Sequence, residues 1–209
     1  MTIKNFIFDI DGTLLDTEAM YIKALQEVLH ERGMNRPYAE LAKTFGIPSR
    51  DAVIRLGIKD IDGVLAEWTP KTEEKPYQDT VAVYAGVKDA LGKLKDAGAN
   101  LAVMTSKRQF EFDRDVVGHG LAPYFSQAIV AEDIAHGKPA PDGILLAMKR
   151  LHAAPETTIY VGDTVYDADA SKAAHVTFGF AGWNGKRPTD FTADVSFMTP
   201  QAMLNLLKA

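Results

Sequence analysis

Ile3, Phe6, Ile7 and Phe8 form a short run dense in β-branched and aromatic residues that stops at Asp9-Ile10-Asp11-Gly12-Thr13, which predicts a buried strand ending in a turn. The period then changes. Ala19, Ile22, Leu25, Val28 and Leu29 recur at three- and four-residue steps, with Asp16 or Thr17 ahead of them and Gly33 behind, so an amphipathic helix is predicted over 18–31. Helix-like pieces follow over 38–45, 49–56, 61–68 and 72–83, separated by Gly46-Ile47-Pro48, Gly57, Pro70 and Pro76, with no convincing strand among them. Beyond Gly86 helix and strand alternate: a helix over 87–97 closed by Gly98, a strand over 101–104, a helix around 109–117 and a strand over 128–130. A helix over 142–151, a strand over 158–161, a helix over 166–174 and a strand over 176–180 complete the series.

That alternation implies right-handed crossovers and a parallel sheet. The runs at 6–8, 101–104 and 159–161 are continuously apolar, as expected of strands covered on both faces. The expected fold is therefore α/β: a doubly wound parallel sheet formed by 1–15 and 81–209. The helical stretch 16–80 is inserted beyond the carboxyl end of the first strand, where it is placed to cover a ligand.

Composition narrows the function. With 209 residues, 46% hydrophobic and 24% charged, the chain can bury a sizeable core. Its 23 Lys and Arg against 28 Asp and Glu give a formal charge of −5 and no basic field for nucleic acid. Zero cysteines exclude a disulfide framework, a thiolate nucleophile and Cys-ligated zinc, and fit a reducing compartment. No segment approaches the ~18 consecutive apolar residues of a membrane span, and no signal peptide is readable at the N-terminus, so a cytoplasmic location is expected.

Polar residues follow three of the strands: Asp9 and Asp11 the first, Thr105 and Ser106 the second, and Gly162-Asp163-Thr164 with Asp167 a later one. Ligands of open parallel sheets bind at those carboxyl ends, so these residues are candidates for one crevice. Three converging carboxylates repel one another unless a cation joins them, and an oxygen-only set suits a hard ion such as Mg²⁺. Lys138, in Gly137-Lys138-Pro139-Ala140-Pro141, adds positive charge, and Thr105 a neutral donor. Such a site matches an anion whose charge grows in the reaction, as in phosphoryl transfer.

Asp9-Ile10-Asp11-Gly12-Thr13-Leu14, Thr105 after an apolar strand, Lys138 before Pro-x-Pro-Asp, and Gly162-Asp163-Thr164-x-x-Asp167 together resemble the four motifs of the haloacid dehalogenase superfamily. They stand in that family's order and spacing, and the resemblance covers essentially the whole chain. It implies a Rossmann-like core with a small α-helical cap, and a Mg²⁺-dependent phosphatase. Asp9 would be the nucleophile that forms an aspartyl-phosphate, and Asp11 would protonate the leaving alcohol and then activate water. The Asp9 carboxylate, the Asp11 backbone carbonyl and Asp163 would hold the metal, with Asp167 as a further ligand or a support. Thr105, with Ser106 beside it, and Lys138 would bind the phosphoryl group. An acid two residues after the nucleophile favours phosphate esters over carbon–halogen or carbon–phosphorus bonds, because an alkoxide leaves poorly unless protonated.

Within the superfamily, Val103-Met104-Thr105-Ser106-Lys107-Arg108 looks most like the phosphoglycolate phosphatases. A sugar-phosphate mutase of the β-phosphoglucomutase type, a pyrophosphatase and a catalytically idle binding module are the alternatives. The mutase branch commonly has a His in its first cap helix, where this chain has Tyr21. His175 stands where many relatives have Gly. Arg50, in the loop that corresponds to the family's specificity loop, is a candidate partner for a second anionic group on the substrate. Lys107 and Arg108 read as solvated charges, and Trp68 and Trp183 carry no separate role. The expected partner is a small phosphorylated metabolite, with no nucleic acid or membrane, and the protein is expected as a monomer or weak dimer.

Overall fold

The structure is a computed structural model that describes residues 2–187 and 190–207. The chain divides into two compact units: Met1–Leu15 with Val83–Ala209, and Asp16–Ala82. The passages between them coincide with two-residue strands, β2 (Leu15–Asp16) and β3 (Ala82–Val83).

In the first unit, β1 (Asn5–Phe8), β4 (Asn100–Met104), β5 (Gln127–Ile129), β6 (Thr158–Gly162), β7 (Thr177–Ala181) and β8 (Val195–Phe197) form a six-stranded sheet. Its order is β5-β4-β1-β6-β7-β8 and every adjacent pair runs parallel. Phe8 lies level with Val103 on one side and Val161 on the other, so these three strands end at nearly the same height. From β1 the chain moves outward through β4 to β5, then returns to the other side of β1 and continues through β6 to β8. The direction of winding reverses between β1 and β6, and such a reversal opens a crevice beyond the strand ends.

The helices of this unit are α6 (Val87–Asp96), α7 (Gln109–Phe112), α8 (Asp142–Leu151) and α9 (Val165–Ala173). All four residues of β1 and all five of β6 are buried. Ile7, Met104, Ile129, Ile144, Ala147 and Tyr160 share one core cluster, which explains why these strands read as unbroken apolar runs. Each fully buried aliphatic side chain in such a cluster contributes about 1.5–3 kcal/mol.

The second unit is helical: α1 (Glu18–Glu31), α2 (Tyr38–Leu41), α3 (Ser49–Arg55), α4 (Ile61–Lys71) and α5 (Lys75–Gln78). Met20, Ile22, Ala24, Leu25, Val28 and Leu29 make the buried stripe of α1. Tyr21 packs edge-on against Trp68, whose indole N–H donates to the Tyr21 carbonyl oxygen at 3.0 Å, and the Phe45 ring lies tilted against the Tyr21 ring. No helix among the described residues is long and apolar enough to cross a membrane.

Several elements depart from the periodicity, among them α4, which runs on through Pro70 to Lys71, and α2, which gives way to a 3-10 turn after Leu41. The helix read over 72–83 shrinks to the single turn α5, because Thr72 and Thr80 bond backwards to Thr69 and Tyr77 carbonyls and the chain then enters β3. The helix read over 109–117 is α-helical only to Phe112 and continues as a π turn over Asp113–Val117. Strand β8 has three residues, too few for a period to show. His175 is exposed with φ +57°, the left-handed conformation that a Gly would adopt without strain.

Ile7 is fully buried in the central strand. Ile7→Ala is expected to lower unfolding free energy by about 2–5 kcal/mol with an unchanged denaturant slope, as read from urea melts.

Candidate functional site

The strand register carries the site residues to the reversal point. Asp9 follows β1 and continues its ladder, donating its N–H to the Val161 carbonyl oxygen at 2.9 Å. Thr105 follows β4 and donates to the Ile129 carbonyl oxygen at 3.0 Å, while Asp163 follows β6. After Asp9 the chain folds on itself, with the N–H groups of Thr13, Leu14 and Leu15 all aimed at the Ile10 carbonyl oxygen. Gly12 sits at φ +77°, and a Cβ there would overlap the Asp163 carboxylate. Both the backbone angle and the close approach therefore require glycine.

Lys138 ties the acidic residues together. Its ammonium lies 2.9 Å from Asp9 Oδ1 and 2.8 Å from Asp167 Oδ1, and its side chain is 9% exposed. Asp167 is otherwise enclosed. The Tyr160 hydroxyl shares its proton between Asp167 Oδ1 and the Met104 carbonyl oxygen, 3.2 Å from each. Asp167 Oδ2 accepts from the Thr164 hydroxyl at 2.6 Å, the Thr164 N–H at 2.9 Å and the Asp163 N–H at 3.2 Å. This is a capping box at the start of α9, in which Asp167 N–H also donates to Thr164 Oγ1.

Carboxylate oxygens of Asp9, Asp163 and Asp167 lie within 4.8 Å of one another, and all three residues are buried. Their charges are settled unequally. Burial pushes Asp9 up to about 8; Lys138 opposes this, and Asp167 and Asp11 add to it. Burial likewise pushes Asp163 up to about 7, against the pull of Lys186. Asp167 is lowered, because Lys138 and Thr164 outweigh its own desolvation. Lys138 is raised well above the ordinary lysine value, since Asp167 and Asp9 together outweigh its burial. Lys138 is thus shared by Asp9 and Asp167, and burial leaves Asp9 and Asp163 with raised proton affinity. An all-oxygen set with two such carboxylates fits a hard divalent cation.

The pattern of the haloacid dehalogenase-like hydrolase family matches residues 6–181, which takes in every residue of this cluster. The chain belongs to that family. A phosphorylated carbohydrates phosphatase of Thermotoga maritima is 28% identical over 97% of this chain and 97% of its own. The pyrophosphatase PpaX of Oceanobacillus iheyensis is 26% identical over 89% and 86%. A crystal structure from Lactobacillus plantarum described as a "putative phosphoglycolate phosphatase" superposes with a TM-score of 0.89 at 28% identity, over 99% of this chain and all of the other. The protein is a hydrolase of the phosphatase kind, with the parallel α/β fold of its family.

Asp9, Asp163, Asp167 and Lys138 of this hydrolase meet directly, and Thr105 is 1% exposed at the end of the neighbouring strand. Asp11 is placed differently: its Oδ1 pairs with Lys107 at 2.9 Å. Lys107 is therefore no solvated charge. It is 2% exposed and also pairs with the fully buried Asp115 at 2.8 Å, whereas Arg108 lies exposed over the Phe110 ring, as its sequence suggests. Ser106 is exposed. Arg50, in the helical unit, pairs with Asp62 at 2.5 Å, and both side chains are more than half exposed.

Sequence reasoning passed over the loop after β7. The Trp183 indole donates to the Thr13 carbonyl oxygen at 2.8 Å, and the Asn184 amide donates to the Gly12 carbonyl oxygen at 2.9 Å and to Asp163 Oδ2 at 3.2 Å. Lys186 stands 3.6 Å from the same carboxylate oxygen. The signal in the chain was Gly182-Trp183-Asn184-Gly185 directly after an apolar strand, a turn sequence at the carboxyl edge of the sheet.

Carboxyls raised in the folded state bind protons that the unfolded chain has already released, so stability falls as pH rises from about 4 through 7 and 8. The lowered Asp167 and raised Lys138 act outside that window. Chelator-treated protein is expected to melt at a lower temperature at pH 8.5 than at pH 5.5, and Mg²⁺ to raise the melting temperature more at pH 8.5; differential scanning fluorimetry reads both.

Proposed function

We propose that this hydrolase is a Mg²⁺-dependent phosphatase of small phosphomonoesters that works through an aspartyl-phosphate on Asp9. The observation that carries this reading is the position of Asp9: buried at the end of the central strand, on the Lys138 ammonium, with a carboxylate oxygen of Asp163 within 4.8 Å of its own.

Asp9 and Asp163, with the Asp11 backbone carbonyl, would hold Mg²⁺, which when bound supplies positive charge to the phosphoryl oxygens. Asp167 would serve as a support, since both of its oxygens are engaged by Lys138, Tyr160, Thr164 and the Asp163 N–H. An Asp9 carboxylate oxygen attacks phosphorus, the bond from phosphorus to the ester oxygen breaks, and the Asp11 carboxyl delivers its proton to the departing alcohol. The Asp11 carboxylate then takes a proton from water as the water oxygen attacks phosphorus. The Asp9–phosphorus bond breaks, and inorganic phosphate and free Asp9 are regenerated. Thr105 and Lys138 bind the phosphoryl oxygens, with Ser106 beside Thr105 in the sequence.

The helical unit enters the chain directly after the Asp9 loop and is assigned the role of a cap that excludes bulk water during transfer and reopens for product release. A phosphoglycolate-like substrate, bearing a carboxylate for Arg50, is the reading favoured by the Thr105-Ser106-Lys107-Arg108 sequence. A pyrophosphate substrate is the second reading, supported by the likeness to pyrophosphatase PpaX. A cytoplasmic setting accords with a chain that has no cysteine.

Asp9→Asn is expected to lower Mg²⁺-dependent hydrolysis of p-nitrophenyl phosphate by about 10³-fold or more while the fold is kept; near-normal turnover would overturn the nucleophile assignment. For Arg50→Ala, KM for carboxylate-bearing phosphomonoesters is expected to rise by about 10-fold, the worth of one charge-assisted hydrogen bond, with KM for p-nitrophenyl phosphate unchanged. A panel of phosphoglycolate, hexose phosphates, nucleotides and pyrophosphate identifies the substrate.

A further inference from the structure

Lys107 is held from every side. Its N–H donates to Thr105 Oγ1 at 3.2 Å, its carbonyl oxygen accepts from the Ala131 N–H at 2.9 Å, and its side chain is 1% exposed. The ammonium bridges Asp11 Oδ1 at 2.9 Å and Asp115 Oδ2 at 2.8 Å. Asp115 has no exposed surface, and its two oxygens also receive Arg114 Nε at 2.6 Å and a second guanidinium nitrogen at 3.0 Å. What brings Asp115 inward is the π turn Asp113–Val117 that follows α7. It buries Asp115 and Val116 and leaves Val117 half exposed. An extra residue in a helical turn shifts the phase of the helix surface, and such turns concentrate at functional sites.

Stability does not account for this arrangement. Taking several charges out of water offsets most of what their attraction returns, and apolar residues of equal volume would serve a core as well. The arrangement instead delivers direction. Asp11 lies within the tight Asp9–Leu15 loop and its side chain is 22% exposed, a setting in which a carboxyl has several staggered rotamers to choose from. One oxygen fastened to a buried ammonium, itself fastened to a buried carboxylate, narrows the orientations open to the group. Proton transfer demands that, because the donor must lie within hydrogen-bond reach of the departing oxygen.

We propose that Lys107, backed by Asp115 on the π turn, is a positioning residue that orients the Asp11 carboxyl toward the leaving oxygen of the substrate. This rests on the acid role assigned to Asp11 above. Its consequence is selective: losing the anchor harms substrates in proportion to how much their leaving group needs a proton.

The test compares kcat/KM, which reports transfer to Asp9 and not the later hydrolysis, for glycerol phosphate and for p-nitrophenyl phosphate, whose phenolate leaves without help. For Lys107→Met the alkyl ester is expected to lose about 100-fold and the aryl ester less than about 3-fold, within the range that general acid catalysis supplies. Asp115→Asn, which leaves Lys107 and Asp11 in place, is expected to shift the ratio in the same direction by about 10-fold, and it decides the matter alone if Lys107→Met does not fold. Equal losses on both esters, or an unchanged ratio in folded Asp115→Asn, would overturn the inference. Asp11→Asn separates the two levels. Selective loss of the alkyl ester in that variant, with none in the Lys107 and Asp115 variants, refutes the anchor alone; no selective loss in Asp11→Asn refutes the acid role, and the anchor with it.

Discussion

Burying like charges side by side is the constraint from which this site is built. The parallel sheet brings the carboxyl ends of β1 and β6 level, and the residues that follow them, Asp9 and Asp163, are acids with little access to water. Lys138 is shared between Asp9 and Asp167, and the hydrogen bonds around Asp167 fix where that ammonium sits. Burial leaves Asp9 and Asp163 with raised proton affinity, which is the electrostatic condition for taking up a divalent cation.

Around that centre the loops are fixed to one another and not merely adjacent. The Asp9–Leu15 loop closes on the Ile10 carbonyl and presents Gly12 against Asp163, and the loop after β7 grips Gly12, Thr13 and Asp163 through Trp183 and Asn184. On the other flank Lys107 links Asp11 to the buried Asp115. A chain of polar contacts this complete rigidifies the side chains whose geometry phosphoryl transfer depends on.

Much of this was readable in the residues. The unbroken apolar runs at Phe6–Phe8 and 159–161 announced strands covered on both faces, and the alternation of helix and strand after Gly86 announced the parallel sheet; both depend on local period and composition alone. Asp9, Asp163 and Lys138 were equally legible, since each follows a strand or precedes a helix in a motif with fixed spacing. Lys107 was not. A lysine in Ser106-Lys107-Arg108 looks solvated until the π turn that follows α7 supplies Asp115, eight residues on, as its partner, and no periodicity reports a one-residue bulge. Asn184 and Trp183 were missed for a similar reason: their partners, Gly12 and Thr13, lie about 170 residues away.

Sequence alone determined which residue types stand at the strand ends, and with them the family, because backbone period and motif spacing are local properties of the chain. Tertiary structure decided how the charges are shared: that Lys138 bridges Asp9 and Asp167, and that Lys107 is buried beneath Asp11. Those outcomes depend on distances of about 3 Å between segments far apart in the chain and on the exclusion of water around them, and burial and proximity arise only once the sheet has assembled.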